Sequence, residues 1–80
     1  SLLFEAAIQI RGIDRSGMLH DIADVLSDQL GVNIRKITIT SDNGIFDGTI
    51  EMQVHDRKDV EMIVESMKNI KDMQEVQSVL

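Results

Sequence analysis

Eighty residues bound the chain to one compact domain with no room for a separate catalytic partner, and 42% hydrophobic with 28% charged residues exclude a disordered tail, a collagen-like chain and a membrane chain. Eight Lys and Arg against fourteen Asp and Glu, a formal charge of −6, with Phe4 and Phe46 the sole aromatic residues, exclude a general nucleic-acid binder, which needs cations for phosphates and rings for bases. The absence of Cys excludes disulfides and thiolate metal sites, and no apolar run approaches the ~20 residues of a bilayer span.

Phe4 to Arg11 alternates with period two, so Phe4, Ala6, Ile8 and Ile10 share one face and Glu5, Gln9 and Arg11 the other. This predicts a half-buried strand. Gly12-Ile13-Asp14-Arg15-Ser16-Gly17 interrupts it, and Leu19, Ile22, Ala23, Leu26 and Leu30, widened by Met18 and Val25, mark a helix over roughly 16–30. Asp14 or Ser16 is its expected N-cap, and Gly31 suits the left-handed position after its end. Val32 to Thr40 is β-branched, but its apolar phase shifts between Ile34 and the pair Ile37 and Ile39, as a bulge in an edge strand produces. Ser41-Asp42-Asn43-Gly44 carries the Asn-Gly pair of a tight hairpin, with Asp47-Gly48 a competing turn. The third strand follows with Phe46, Gly48, Ile50, Met52 and Val54. Asp56 is the expected cap of a second helix with stripe Val60, Ile63, Val64, Met67 and Ile70 and outer side Arg57, Lys58, Glu61, Glu65 and Lys68. A last strand runs from about Gln74 to Leu80, with Val76 and Val79 or Leu80 as its apolar members.

The order βαββαβ with right-handed crossovers predicts an α+β, ferredoxin-like sandwich: a four-stranded antiparallel sheet with both helices on one face. The opposite face, with Glu5, Gln9, Arg11, Thr49, Glu51 and Gln53, is polar, and is either solvated or met by a partner. Burial of ~8,000 Å², rather more than half of it apolar, contributes about 120 kcal/mol. Ordering at ~1.5 kcal/mol per residue costs about the same, which favours extra burial from a second copy or a parent chain.

Catalysis finds few candidates. Ser16, His20 and Asp24 at four-residue steps stand side by side on a solvated helix face without a pocket or an oxyanion site. His20 with Asp24, or with nearby Asp21 and Asp28, leaves a zinc site incomplete, so no metal or cofactor is expected. His55 beside Asp56 reads as loop polarity.

Gly12 and Gly17 flank a strand-to-helix loop, where phosphate loops occur, but Met18-Leu19 stand where Lys and a hydroxyl are needed and Asp14 would repel a phosphate. The glycines instead suit a sharp exit from the strand and an uncluttered helix N-terminus, whose free amides and dipole receive a carboxylate. With Met18 and Leu19 alongside, this is an anion cradle against an apolar wall, the requirement of a free amino acid; the bland reading of the same residues is a tight turn. Asn33, expected at the same end of the domain, offers hydrogen bonds to an ammonium or carboxylate, or serves as a turn residue.

The run Ile8-Gln9-Ile10-Arg11-Gly12-Ile13-Asp14-Arg15-Ser16-Gly17-Met18-Leu19-His20-Asp21-Ile22, with Gly31-Val32-Asn33-Ile34, resembles the opening half of an ACT domain, a small-molecule sensing module of amino-acid metabolism. The Asp14-to-Ile22 run, the Asn33-Ile34 strand start and Phe46-Asp47-Gly48 are most similar to the C-terminal ACT domain of long RelA/SpoT-type (p)ppGpp synthetase/hydrolases, GTP pyrophosphokinases. The resemblance covers essentially the whole chain. It implies that residues 1–80 are one non-catalytic regulatory domain, a fragment of a longer cytoplasmic enzyme, that pairs as a homodimer. It also implies an amino acid, branched-chain above all, bound at the interface near the first strand-to-helix loop. Ile13, Asp14, Gly17, Met18 and Leu19 would form the loop wall, with Asn33 and Ile34 facing it. Partners implied are the catalytic half of the parent enzyme and the ribosome. Two departures are the missing Arg near the end of the last strand and Met18 in place of Leu.

Two other readings remain. A ligand-free interaction domain would dock on the ribosome or on its own enzyme, using a basic patch of Arg11, Arg15, Arg35 and Lys36. Hydrolysis of an acyl phosphate would need an unopposed Arg in the loop, and Arg15 stands beside Asp14.

Overall fold

The computed structural model describes residues 2–79. Leu80, a candidate apolar member of the last strand, lies outside the described residues. The elements are β1 (Phe4–Ile13), α1 (Met18–Ala23) continued by a π-helical segment (Asp24–Gln29), β2 (Asn33–Asp42), β3 (Ile45–Val54), α2 (Asp59–Lys68) and β4 (Met73–Ser78). The strands form one antiparallel sheet in the order β2-β3-β1-β4. This is the ferredoxin-like βαββαβ arrangement that the element order predicts.

Period-two patterning sends Ile8, Ile10, Phe46, Ile50, Met52 and Val54 into one core with Ile22, Leu26, Ile63, Met67 and Val76. The hairpin turns at Asn43 and Gly44, whose φ values of 51° and 79° are the pair of positive angles that the two-residue turn requires, and Asp42 pairs with Ile45. The competing Asp47-Gly48 turn is not made; both residues lie inside β3. The expected bulge is present: the β2–β3 register shifts between Ile34 and Lys36, leaving Arg35 as the extra residue of an edge strand.

Four local expectations are corrected. The buried face of the first helix is Met18, Ile22, Val25 and Leu26, while Leu19 is 54% exposed. The chain widens into π geometry at Asp24, with the Leu30 amide donating to the Val25 carbonyl five residues back, at 3.0 Å. Neither Asp14 nor Ser16 caps α1; Gly17 occupies the cap position at φ 83°, and its carbonyl accepts from the Asp21 amide at 2.9 Å. Gly12 is no exit turn. It stays in β1 opposite Phe46, because a β-carbon there would stand 2.5 Å from the Asp72 carbonyl and 2.7 Å from the Phe46 ring. At α2 it is Lys58 that occupies the cap position; Asp56 accepts from the Lys58 amide at 2.9 Å and organises the turn before the helix, and Arg57 lies over the Phe4 ring.

The sheet face opposite the helices is polar, as the alternation requires. Arg11 grips both carboxylate oxygens of Asp47 at 3.1 and 3.3 Å, and side-chain amides bridge Gln77 to Gln9, Gln53 to Glu5 and Asn33 to Gln53. No helix among the described residues is long and apolar enough to cross a membrane.

Candidate functional site

β1 delivers its C-terminal end to the hairpin end of the sheet, and the loop that follows is fastened there from two sides. The Ile13 amide donates to the Asp72 carbonyl and the Asp14 amide to the Gly44 carbonyl, each at 2.9 Å. Beside this loop an open groove of about 410 Å³ is lined by Asp14, Arg15, Gly17, Met18, Leu19, His20, Ile39 and Phe46.

Its chemistry has three parts. Met18, exposed Leu19, half-buried Ile39 and the Phe46 ring make an apolar wall. The helix begins at Gly17 without a side-chain cap; the Met18 amide donates to the Arg15 carbonyl at 3.3 Å, and the next amides, of Leu19 and His20 in the groove lining, are free at the positive end of the helix. The Asp14 carboxylate is exposed, and among the described residues it has no hydrogen-bond or ion-pair partner.

Arg15 is otherwise engaged. Its Nη2 donates to Asp21 Oδ2 at 2.7 Å and to the Lys71 carbonyl at 2.9 Å, and Nη1 donates to the Ser16 carbonyl. Nε stands 3.3 Å from Asp72 Oδ2 as a charge contact but is buried without a hydrogen bond. An Arg opposed by two carboxylates is unavailable to an acyl phosphate. The basic patch is not assembled either: Arg11 and Arg15 are ion-paired, and Arg35 and Lys36 stand apart at the β2 bulge. Asp24 accepts from Gln29 instead of orienting His20, and among the described residues no three His, Cys, Asp or Glu side chains are grouped to hold a metal.

Of the seven residues assigned from sequence, Asp14, Gly17, Met18 and Leu19 come together in the groove. Ile13 lies just behind it as the last residue of β1, half-buried and opposite Ile45. Asn33 and Ile34 do not join them. Asn33 pairs with Gln53, which pairs with Glu5 at the start of β1, so both residues lie at the far end of the sheet from the loop. The Asn33 side chain donates to Gln53 on the polar face at 2.8 Å. Within one chain these two residues cannot face the loop.

Ile39, Phe46, Arg15 and His20 are the lining residues not assigned from sequence. Counting register back from the Asn43-Gly44 turn would have found the first two, since an antiparallel hairpin returns residues 39 and 46 to the end where β1 exits.

The ACT domain family model matches residues 1–77. The crystal structure of the ACT domain from the GTP pyrophosphokinase of Chlorobium tepidum is 26% identical, covers 98% of this chain and 100% of its own, and superposes with a TM-score of 0.84. Its solution structure gives 26% identity, 96% and 86% coverage and a TM-score of 0.81. The small subunit of acetolactate synthase from Thermotoga maritima shares the fold at 21% identity and TM-score 0.79; the match covers 94% of this chain and 47% of that one. No curated protein matches the chain.

Proposed function

The chain belongs to the ACT domain family, and from that premise we propose that it is the amino-acid-sensing, pairing domain of a cytoplasmic GTP pyrophosphokinase-type enzyme, with a branched-chain amino acid as ligand. The observation that carries this reading is the meeting, in one groove, of an unpaired carboxylate, free helix-start amides and an apolar wall. A free amino acid presents the complement of all three. Its ammonium pairs with Asp14, its carboxylate takes the amides at the start of α1, and its side chain lies against Met18, Leu19, Ile39 and Phe46. The similarity to the Chlorobium tepidum ACT domain supports the choice of parent enzyme.

A second copy supplies what the single chain lacks. β2 is an uncovered edge. Running it antiparallel to β2 of a second copy about a two-fold axis beside Ile37, each strand skipping its bulged Arg35, sets Ile34 beside Ile39 of the other copy and Asn33 beside Thr40. Ile34 then extends the apolar wall, while Asn33 stays on the polar face beside Thr40, where its bond to Gln53 holds it. Ligand and pairing are thereby linked: an amino acid that binds the paired state better shifts the equilibrium toward it by no more than that difference in affinity.

Titration calorimetry and amide chemical shifts with valine, isoleucine and leucine test the reading. Shifts are expected at Met18, Leu19 and Ile39, and no response at millimolar ligand overturns it. Asp14→Asn, which removes one charge-assisted contact, is expected to weaken binding about tenfold or more, since such contacts are worth about 1.5–3 kcal/mol. Affinity unchanged in that variant would remove Asp14 from the site.

A further inference from the structure

Arg15 has the environment of a structural part, although it sits in the most exposed stretch of the groove. Its neighbours Asp14 and Ser16 point to water, while its own side chain is 22% exposed and turned under the loop. There it meets carboxylates from two different elements, Asp21 on α1 and Asp72 in the turn between α2 and β4, together with the Lys71 carbonyl of that same turn. Asp72 is held at φ 69°, a conformation uncommon for residues other than glycine and best tolerated by Asp and Asn. Its carbonyl is fixed by the Ile13 amide and its carboxylate by the Arg15 charge, so two of the contacts around this residue come from the groove loop. A β-carbon on Gly17 would stand 3.5 Å from Arg15 Nη1, which puts the guanidinium directly behind the glycine that opens the groove.

We propose that Arg15 is the positioning residue of this groove: it bolts the β1–α1 loop to the α2–β4 turn, so that the receptive shape of the loop depends on a turn more than fifty residues away and outside the groove itself. Resting on the ligand reading above, this makes the α2–β4 turn part of the binding response. Nε, buried with a charge contact and no hydrogen bond, identifies the Asp72 arm as the weaker of the two and so as the one that yields. Asp21, bonded at 2.7 Å on the helix that carries Met18 and Leu19, is the fixed arm.

Amide hydrogen exchange on the full chain without ligand tests the bolt. Asp72→Asn keeps a side chain that tolerates positive φ but removes the charge, and Arg15→Gln removes the cation. Asp72→Asn is expected to speed exchange tenfold or more in residues 13–17, and Arg15→Gln to do the same in residues 69–73, with Ile8 and Ile50 in the central strands unchanged. The double variant is expected to be no faster than Arg15→Gln alone, because the one contact that Asp72→Asn breaks is already lost with the cation. If Asp72→Asn leaves residues 13–17 exchanging as in the parent protein, the proposal is overturned. Valine titration of Asp72→Asn, a residue that does not line the groove, then reads the consequence, an expected affinity loss of several-fold. A parent protein that binds no valine would count against the sensing function and leave the exchange result to judge Arg15 alone.

Discussion

Two glycines do opposite work within five residues of each other. At Gly12 the conformation is ordinary strand and the constraint is space: a β-carbon would press on a backbone carbonyl, which cannot swing aside, and on the fully buried Phe46 ring. At Gly17 a β-carbon would meet Arg15 Nη1 at an ordinary contact distance of 3.5 Å, and the constraint is φ 83°. Gly12→Ala is therefore expected to destabilise by overpacking, about 1–3 kcal/mol, and Gly17→Ala by about 1–2 kcal/mol of backbone strain. Urea unfolding measures both. Crystallography or NMR separates them, since only the first should displace Phe46 and the α2–β4 turn. The glycines themselves were visible in the sequence. Their reasons were not, because the crowding at Gly12 comes from Asp72 and Phe46, which reach it only through the β1–β3 and β1–β4 pairings.

Elements were legible wherever a short-range rule fixed them. The Asn43-Gly44 turn, Gly31 at φ 65° and the phase slip between Ile34 and Ile37 each produced the expected feature, because each depends on a few consecutive residues. The first helix was legible as an element but rotated in detail. Its apolar set satisfies either of two adjacent stripes, and the stripe that packs into the core is Met18, Ile22, Val25 and Leu26, at ordinary α-helical spacing. That rotation releases Leu19 to the groove. Leu26→Ala, at a site with no exposure, is accordingly expected to cost about 2–5 kcal/mol, whereas Leu19→Ala should stay within about 0.5 kcal/mol. Equal losses in thermal unfolding would mean that Leu19 belongs to the core after all. The position of Asn33 was illegible for a different reason. Its end of the sheet follows only from tracing α1 back along β1, a long-range fact that a turn residue does not carry.

At the scale of the whole molecule, the proposed pairing is open to test by charge alone, without touching the core. A two-fold axis beside Ile37 sets Lys36 of each copy opposite Thr38 of the other, on the polar face of the extended sheet. Thr38 is exposed, so substituting it leaves the monomer's packing intact. Thr38→Lys would place like charges opposite one another twice, and Thr38→Glu would create two opposite-charge pairs. Each such cross-strand pair is worth roughly 0.2–1 kcal/mol, so the two variants should move the dimer dissociation constant in opposite directions by about two- to thirty-fold. Sedimentation equilibrium at fixed salt reads this directly, and near-identical unfolding midpoints at dilution would show the monomer unaffected. On the proposed pairing Ile34 joins the groove from the second copy, so valine affinity should follow the same order, Glu above Thr above Lys. Dissociation constants that move together for both variants, or not at all, would place the pairing surface elsewhere than β2.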